Sequence, residues 1–181
     1  LPKITALQQR RSALAYGGST LLTAPMGDED TLINHPGFSD MVKDALSHYW
    51  GGPKLTDSPL MRLQVVQDAI KEYKGNSTKA MRAILERAVE QQKPAGERSM
   101  TTAEWILYNI LELKFIQGQR VRDVARRLAM SESDLYRKQR VALENVARTI
   151  GNMERQAMEA QRPVLSHRPE TVAEAEPEIE P

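Results

Sequence analysis

The chain has 181 residues, with 25 Lys and Arg against 24 Asp and Glu, and it contains no cysteine. This length accommodates one domain or two small ones. The absence of cysteine excludes disulfides, iron–sulfur clusters, thiolate zinc sites and cysteine nucleophiles. The near-neutral total excludes a uniformly basic coat for nucleic acid, but opposite charges can still be kept in separate regions.

No apolar run approaches the roughly 20 residues that span a bilayer, and no basic-then-apolar leader is visible. We therefore expect a soluble, cytoplasmic protein that makes no membrane contact. The chain begins at Leu1 instead of Met, which is consistent with a piece of a longer protein.

Residues 1–36 are predicted to form a flexible arm or linker. They contain the turn formers Gly17-Gly18, Pro25 and Gly27 and the acidic cluster Asp28-Glu29-Asp30, and they lack sustained periodicity. No Lys-Ser/Thr pair follows the two glycines at the spacing of a phosphate-binding loop, so we interpret them as loop residues.

Residues 37–94 are predicted to form a three-helix bundle. The first helix begins near Phe38 and ends at a Gly-Gly-Pro sequence. The second begins at Ser58-Pro59, where the hydroxyl can cap the helix and proline loses no hydrogen bond, and Gly75 ends it. The third is capped by Asn76 or Ser77 and ends before Pro94. Apolar residues recur at helical spacing in each: Phe38, Met41, Val42, Ala45, Leu46 and Tyr49; Leu60, Leu63, Val66, Ala69, Ile70 and Tyr73; Met81, Ile84, Leu85 and Ala88.

A polar stretch at residues 91–99 separates this bundle from a second predicted domain at 99–162. Thr101 and Glu104 have the spacing of a capping box, which predicts a helix start. The following helix is apolar on nearly all sides, so we expect several neighbours to bury it. No strand pattern of useful length appears anywhere, and the predicted fold class is all-α.

Charge is concentrated in the second half of the chain. Residues 114–148 carry nine basic and four acidic side chains, a net of +5, whereas residues 163–181 carry one Arg and five Glu, a net of −4. The latter segment cannot bury enough apolar surface to offset its ordering entropy, which predicts a disordered acidic tail.

Within the basic segment, the pattern predicts a helix-turn-helix. Val121, Val124, Ala125 and Leu128 share one face of a short helix. Residues 129–130 form a break, and Ser131 caps the next helix, with Asp134 completing a second capping box. The inward face of this next helix is expected to hold Leu135, Ala142, Val146 and Ile150. In a helix-turn-helix, the second helix enters the DNA major groove. The stripe of this second helix continues through residues 153–158, and this extension could pack on the bundle or on another protomer, of which we favour the bundle.

These residues resemble the DNA-binding region 4 of sigma-70-type factors and related bacterial regulators. The resemblance rests on ILELKFIQG at 110–118, VRDVARRLAMS at 121–131 and Ala142-Leu143, and it covers about residues 105–150. It implies binding to double-stranded promoter-type DNA, without a cofactor, through the first two turns of the second helix. On this chain those turns hold Glu132, Ser133, Asp134, Tyr136 and Arg137.

The chain departs from the family pattern in two ways. Sigma factors favour basic residues near the start of this helix, where Glu132 and Asp134 are acidic, and Lys138 stands where many members have an apolar residue. An acidic side chain can accept a hydrogen bond from cytosine but repels phosphate. Nothing before about residue 100 resembles the other promoter-binding region of these factors, so a regulator or adaptor is expected instead of a complete sigma factor.

The predicted DNA-binding residues divide by role. Base edges would be approached by Ser133, Tyr136 and Arg137, although Tyr136 could instead cover the core. Glu132, Asp134 and Lys138 lie on the same helix and complete the candidate interface. Phosphates would be contacted by a set of arginines, namely Arg120, Arg122, Arg126, Arg127 and Arg140.

The main alternative is a helical protein-interaction adaptor that docks on RNA polymerase or on a larger signalling protein. We expect no enzyme, because no nucleophile motif or carboxylate pair is evident. His35, His48 and His167 have no partners at metal-ligand spacing, so no metal or other cofactor is expected. The sequence leaves the oligomeric state open.

Overall fold

The computed structural model describes residues 31–163, which form helices and turns without a strand. The predicted all-α class is confirmed for this part of the chain. Most of the predicted arm and nearly all of the acidic tail lie outside the described residues. The α-helices are α1 (Phe38–Ser47), α2 (Pro53–Thr56), α3 (Gln64–Glu72), α4 (Ser77–Glu90), α5 (Ala103–Leu111), α6 (Val121–Arg127) and α7 (Glu132–Ala160). Short 3-10 helices cover Leu32–Asn34 and Pro59–Arg62, and a π-helical turn, Glu112–Ile116, continues α5.

Local signals set the end of α3 and the start of α4 in the N-terminal bundle. Gly75 ends the turn after α3 with a φ of 85°, a conformation that glycine adopts without steric cost. The Asn76 side chain then caps α4 by accepting the Lys79 N–H at 3.0 Å. The predicted apolar stripes are buried or partly buried, except that Tyr73 is exposed.

The second predicted helix begins later than its sequence signal indicates. Ser58 accepts the Leu60 N–H at 3.3 Å, but it opens only the 3-10 helix. Leu63 is extended, with a ψ of 138°, so α3 starts anew at Gln64. The reason is a distant contact, because the buried Glu154 carboxylate of α7 accepts the N–H groups of Gln64 and Val65, each at 2.9 Å. The one-turn helix α2 was not predicted.

The prediction of a capping box formed by Thr101 and Glu104 is wrong. Helix α5 has Thr102 at its N-cap, and no side chain makes a capping hydrogen bond there. The hydroxyl of Ser99 instead accepts the N–H groups of Thr101, at 3.4 Å, and Thr102, at 3.3 Å. The free amides before the helix are thus satisfied by the preceding turn, and Glu104 stays exposed.

Buried apolar residues form two cores. The helix-turn-helix core contains Ile106, Ile110, Leu113, Val124, Leu128 and Leu135. The main core combines the bundle with residues from the second half of the chain, namely Trp105, Tyr108, Leu111 and Phe115 of the α5 region and Ala142, Leu143, Val146, Ala147, Ile150 and Met153 of α7. Helix α5 therefore faces both cores, as its apolar character on nearly all sides predicted.

Helix α7 spans 29 residues and joins the two cores. Leu135, near its start, lies in the helix-turn-helix core, while Ile150 and Met153 lie in the main core. The predicted packing of its extension on the bundle is confirmed. A polar contact also joins the residues just after the bundle to α7, because Gln92 Nε2 donates to Thr149 Oγ1 at 2.8 Å. The orientation of α7 is therefore fixed by the bundle.

Candidate nucleic-acid interface

The predicted helix-turn-helix is present in the structure. The short helix α6 is followed by a turn at residues 128–131 and then by α7. Ala129 has a φ of 52°, and the Met130 N–H closes the turn on the Ala125 carbonyl at 3.0 Å. Val124, Ala125 and Leu128 are buried, so one face of α6 packs inward while its charged face meets solvent.

The start of α7 is capped by a short polar network. The hydroxyl of Ser131 accepts the Asp134 N–H at 3.1 Å and donates to an Asp134 carboxylate oxygen at 2.9 Å. The cap predicted at Ser131 is confirmed, although the reciprocal bond involves the hydroxyl and not the Ser131 backbone. The hydrogen bond from Ser131, together with the nearby Arg137 guanidinium, lowers the pKa of Asp134 below its usual value of 3.8.

Three of the predicted DNA-binding arginines are paired with carboxylates. Arg137 donates to Asp134, one turn earlier on α7. Arg122 lies 3.7 Å from Glu132 and thereby connects α6 to the first turn of α7. Arg126 lies 4.0 Å from Asp123 on its own helix. Because these ion pairs are exposed, each contributes little to stability and can open when a phosphate approaches.

The remaining predicted cations are exposed and unpaired within the described part of the chain. No carboxylate oxygen of residues 31–163 lies within 4.0 Å of their charged groups, which belong to Arg120, Arg127, Lys138 and Arg140. Arg120 directly precedes α6, and Arg127 ends it. The acidic residues of this region thus neutralise only part of its positive charge.

Tyr136 is the exposed aromatic residue of the α7 start. It is 52% exposed and belongs to neither core, so its ring is available at the surface. The Lys114 ammonium lies 5.2 Å from its ring centroid. Ser133 and Glu132 are also exposed. The structure brings all eleven predicted residues to α6, α7 and the residue before α6.

Sequence reasoning missed a polar contact behind Tyr136. Lys114, from the π-helical turn after α5, donates to the side-chain oxygen of Gln139, which is buried inside the first half of α7. Burial, and secondarily the nearby Lys43 ammonium of α1, lowers the pKa of Lys114. Lys114 belongs to the basic segment at residues 114–148, but nothing in the sequence indicates that the charge of Lys43 acts on it.

The described residues contain no group of three or more His, Asp or Glu side chains that could hold a metal ion. His48 lies 3.6 Å from Asp44 in an ordinary helical pair, and His35 accepts the Gly37 N–H at 3.0 Å. Within residues 31–163, no helix combines the length and apolar character needed to cross a membrane.

The chain matches no known protein-family model, and no characterised protein or solved structure shows significant similarity to it.

Proposed function

We propose that this protein is a bacterial transcription regulator that binds double-stranded DNA through α6 and α7, in the manner of a sigma region-4-like helix-turn-helix. The second helix would enter the major groove with its N-terminal turns, and the first would lie across the backbone. In this proposal the exposed arginines contact phosphates, while Ser133, Tyr136 and Arg137 approach base edges.

The observation that carries the proposal is the combination of a capped α7 start with unpaired cations around it. The cap leaves Ser133, Tyr136 and Arg137 on the outer surface of the first two turns. Arg120 and Arg127 bracket α6, and Arg140 lies one turn beyond Tyr136. Such a surface offers phosphate contacts on both sides of the residues that would read bases.

The acidic residues near the α7 start have a role that is compatible with this proposal. Asp134 is held by Ser131 and Arg137, and Glu132 is held near Arg122. They therefore stabilise the helix start and orient arginines, so they need not contact DNA themselves. Asp134 also holds Arg137 beside the helix until a base or phosphate competes for it.

A gel-shift series with the full chain and a set of duplexes, at increasing salt, tests the proposal. Each phosphate contact contributes about −0.9 to the slope of log affinity against log salt. Contacts by all five candidate arginines would give a slope of about −4.5, a loss of roughly 500-fold between about 50 and 200 mM salt. Absent or salt-insensitive duplex binding would refute the proposal.

Arg137→Ala tests the base-reading residue. We expect a loss of about 1–3 kcal/mol of binding free energy on a duplex with a preferred guanine, and a relaxed preference at that position. Arg87→Ala is the matched control, because Arg87 is also exposed on a helix but lies in the bundle on α4. Equal affinities of the two variants would remove Arg137 from the interface.

One observation favours the alternative of a protein-interaction adaptor. Trp50, at the end of the turn after α1, is 67% exposed, and a large exposed aromatic residue is typical of protein interfaces. Its carbonyl accepts a hydrogen bond from Arg82 at 2.8 Å, so its backbone is held in place. A pull-down that retains a purified RNA polymerase, and loses it with Trp50→Ala while duplex binding is absent, would decide for the adaptor.

A further inference from the structure

A groove between α1 and α7 continues the candidate interface onto the bundle. It has a volume of about 490 Å³ and includes Tyr136 and Arg140, which also belong to the predicted DNA-binding set. The other residues that line it are Ser39, Asp40, Lys43, Gln139, Leu143 and Glu144. The surface next to the α7 start is therefore built partly by a helix that lies some 90 positions earlier in the sequence.

The two helices run in opposite directions along this groove. A neighbouring cavity, of about 270 Å³, combines Phe38 at the start of α1 with Ala147 and Gly151 of α7. Helix α1 contacts the π-helical turn that holds Lys114, and the charge of Lys43, further along α1, contributes to the lowered pKa of Lys114. Lys114 in turn contacts Tyr136 and Gln139 near the start of α7. Advancing along α1 thus corresponds to moving back along α7.

This antiparallel arrangement separates the charges of the groove. Asp40 precedes Lys43 by about one helical turn, and Glu144 follows Arg140 by about one turn, so both carboxylates lie toward the end that is distant from the α7 start. The end near Tyr136 holds Lys43 and Arg140, and Lys114 lies next to this end, where it contacts Gln139 and the Tyr136 ring. We call this end the basic pocket.

The basic pocket has no counter-ion within the described chain. No carboxylate oxygen of residues 31–163 lies within 4.0 Å of the charged groups of Lys43, Lys114 or Arg140. Lys114 is partly buried, and its pKa is lowered by this burial and, secondarily, by the positive charge of Lys43. Like charges that are held together without a counter-ion repel each other, and an anion placed among them would relieve this repulsion.

We propose that the basic pocket binds a backbone phosphate of the same duplex that α7 contacts, so that Lys43 of α1 extends the DNA interface beyond the helix-turn-helix. This inference rests on the proposed function. Lys43 and Arg140 are exposed and can reach a phosphate from opposite walls of the groove. Lys114 adds positive charge next to the groove through its contacts with two lining residues, Gln139 and Tyr136.

The chemistry of the pocket suits a backbone phosphate. A lysine ammonium is a point charge on a flexible stem, which binds phosphate without demanding one orientation. The Tyr136 ring forms one wall and is half exposed, so it can also pack against a sugar. These contacts would fix the position of the bundle on the duplex but would read no base.

The experiment measures affinity of the full chain for one duplex across a salt series, with Lys43→Ala and Lys79→Ala compared to the unaltered protein. Lys79 is a matched control, because it is an exposed helical lysine of the bundle, on α4. If Lys43→Ala loses one phosphate contact, the slope of log affinity against log salt should become shallower by about 0.9. Affinity should fall about eightfold at about 0.1 M salt, with the difference vanishing toward about 1 M.

The outcomes separate this inference from the proposed function. If Lys43→Ala and Lys79→Ala have the same slope and affinity, while Arg137→Ala weakens binding, the helix-turn-helix proposal stands and the basic pocket is overturned. If no duplex binds the unaltered protein, both fail. An equal loss for Lys43→Ala on single-stranded DNA of the same length would also overturn the inference, because the pocket would then accept phosphate without the duplex geometry.

Discussion

Helices α5 and α7 contribute to both cores of this protein, but the other elements that build the two cores differ. The main core takes apolar residues from all helices of the bundle, from the α5 region and from the second half of α7. The helix-turn-helix core has six buried residues, which come from the α5 region, from α6 and the turn after it, and from the first turn of α7. The helix-turn-helix core is thus formed where α5 and α7 extend beyond the main core.

This difference indicates how the candidate interface is held in place. The seven residues of α6 make too little apolar contact to order a domain alone, because each ordered residue costs conformational entropy. Helices α5 and α7 are ordered by the main core, and α6 then packs on positions that are already fixed. The interface is therefore expected to depend on contacts that are distant from it.

The largest expected effect comes from a cavity in the main core. Ile150 is completely buried on α7, and Ile150→Ala should lower the free energy of unfolding by about 2–5 kcal/mol. Urea denaturation followed by circular dichroism measures this loss. Because α7 serves both cores, hydrogen exchange should accelerate in α6 as well as in the bundle.

The comparison variant for this prediction is Leu135→Ala, which removes a completely buried side chain from the helix-turn-helix core. We expect it to accelerate exchange mainly in α6 and in the turn after it. If Ile150→Ala left the protection of α6 unchanged, the two cores would be independent, and the dependence of the interface on the bundle would be refuted.

The next effect concerns the contact that joins α7 to the start of α3. Glu154→Ala removes the carboxylate that accepts the Gln64 and Val65 N–H groups, and Ala leaves both donors without this acceptor. Hydrogen bonds to charged groups contribute about 1.5–3 kcal/mol, so the free energy of unfolding should fall by about this amount. Thermal and urea unfolding measure it.

Glu159→Ala is the control for Glu154→Ala, because Glu159 is an exposed glutamate on the same helix. Its effect should stay within about 0.5 kcal/mol. Equal stabilities of the two variants would mean that Glu154 does not anchor α7 to the bundle.

The outcome for the fold shows which features sequence patterns can predict. The apolar stripes of α1 and α4, the Asn76 cap and the Ser131 cap depend on neighbours within a few residues, and the structure confirms them. The helix-turn-helix followed from the same kind of local pattern. The start of α3 did not, because it is set by Glu154 from 90 positions away.

Buried polar contacts were the least predictable features for the same reason. Asn109 is completely buried, donates to the Ser99 carbonyl at 2.8 Å and accepts the Arg98 Nε–H at 2.9 Å. Its partners belong to the turn before α5, which the apolar pattern of the helix does not indicate. The capping box at Thr101 does not form, because the helix has Thr102 at its N-cap and the Thr101 N–H is accepted by Ser99 and not by Glu104.

The candidate interface combines both kinds of feature. Its members on α6 and α7 could be identified from helical phasing, whereas Lys43 could not, since its proximity to Lys114 exists only after the bundle packs on α7. The pairing of Arg137 with Asp134 follows from their spacing of three residues on one helix.

The smallest expected effect lies at the start of α7, where a purely local device supports the interface. Ser131→Ala removes the acceptor for the Asp134 N–H and should cost about 1 kcal/mol of stability, as for other N-cap substitutions. It also removes the hydrogen bond that is the main cause of the low Asp134 pKa, so an NMR titration should find that pKa closer to 3.8 in the variant. A group whose pKa is lowered by folding stabilises the protein above its unfolded value and loses this contribution as the pH falls through its folded value. The stability difference between the unaltered protein and Ser131→Ala should therefore be largest at neutral pH and should narrow below about pH 3.8.

Unlike Ile150→Ala, the variant should leave hydrogen exchange in the bundle unchanged, and a change there would mean that the α7 start is coupled to the main core more strongly than a local cap allows.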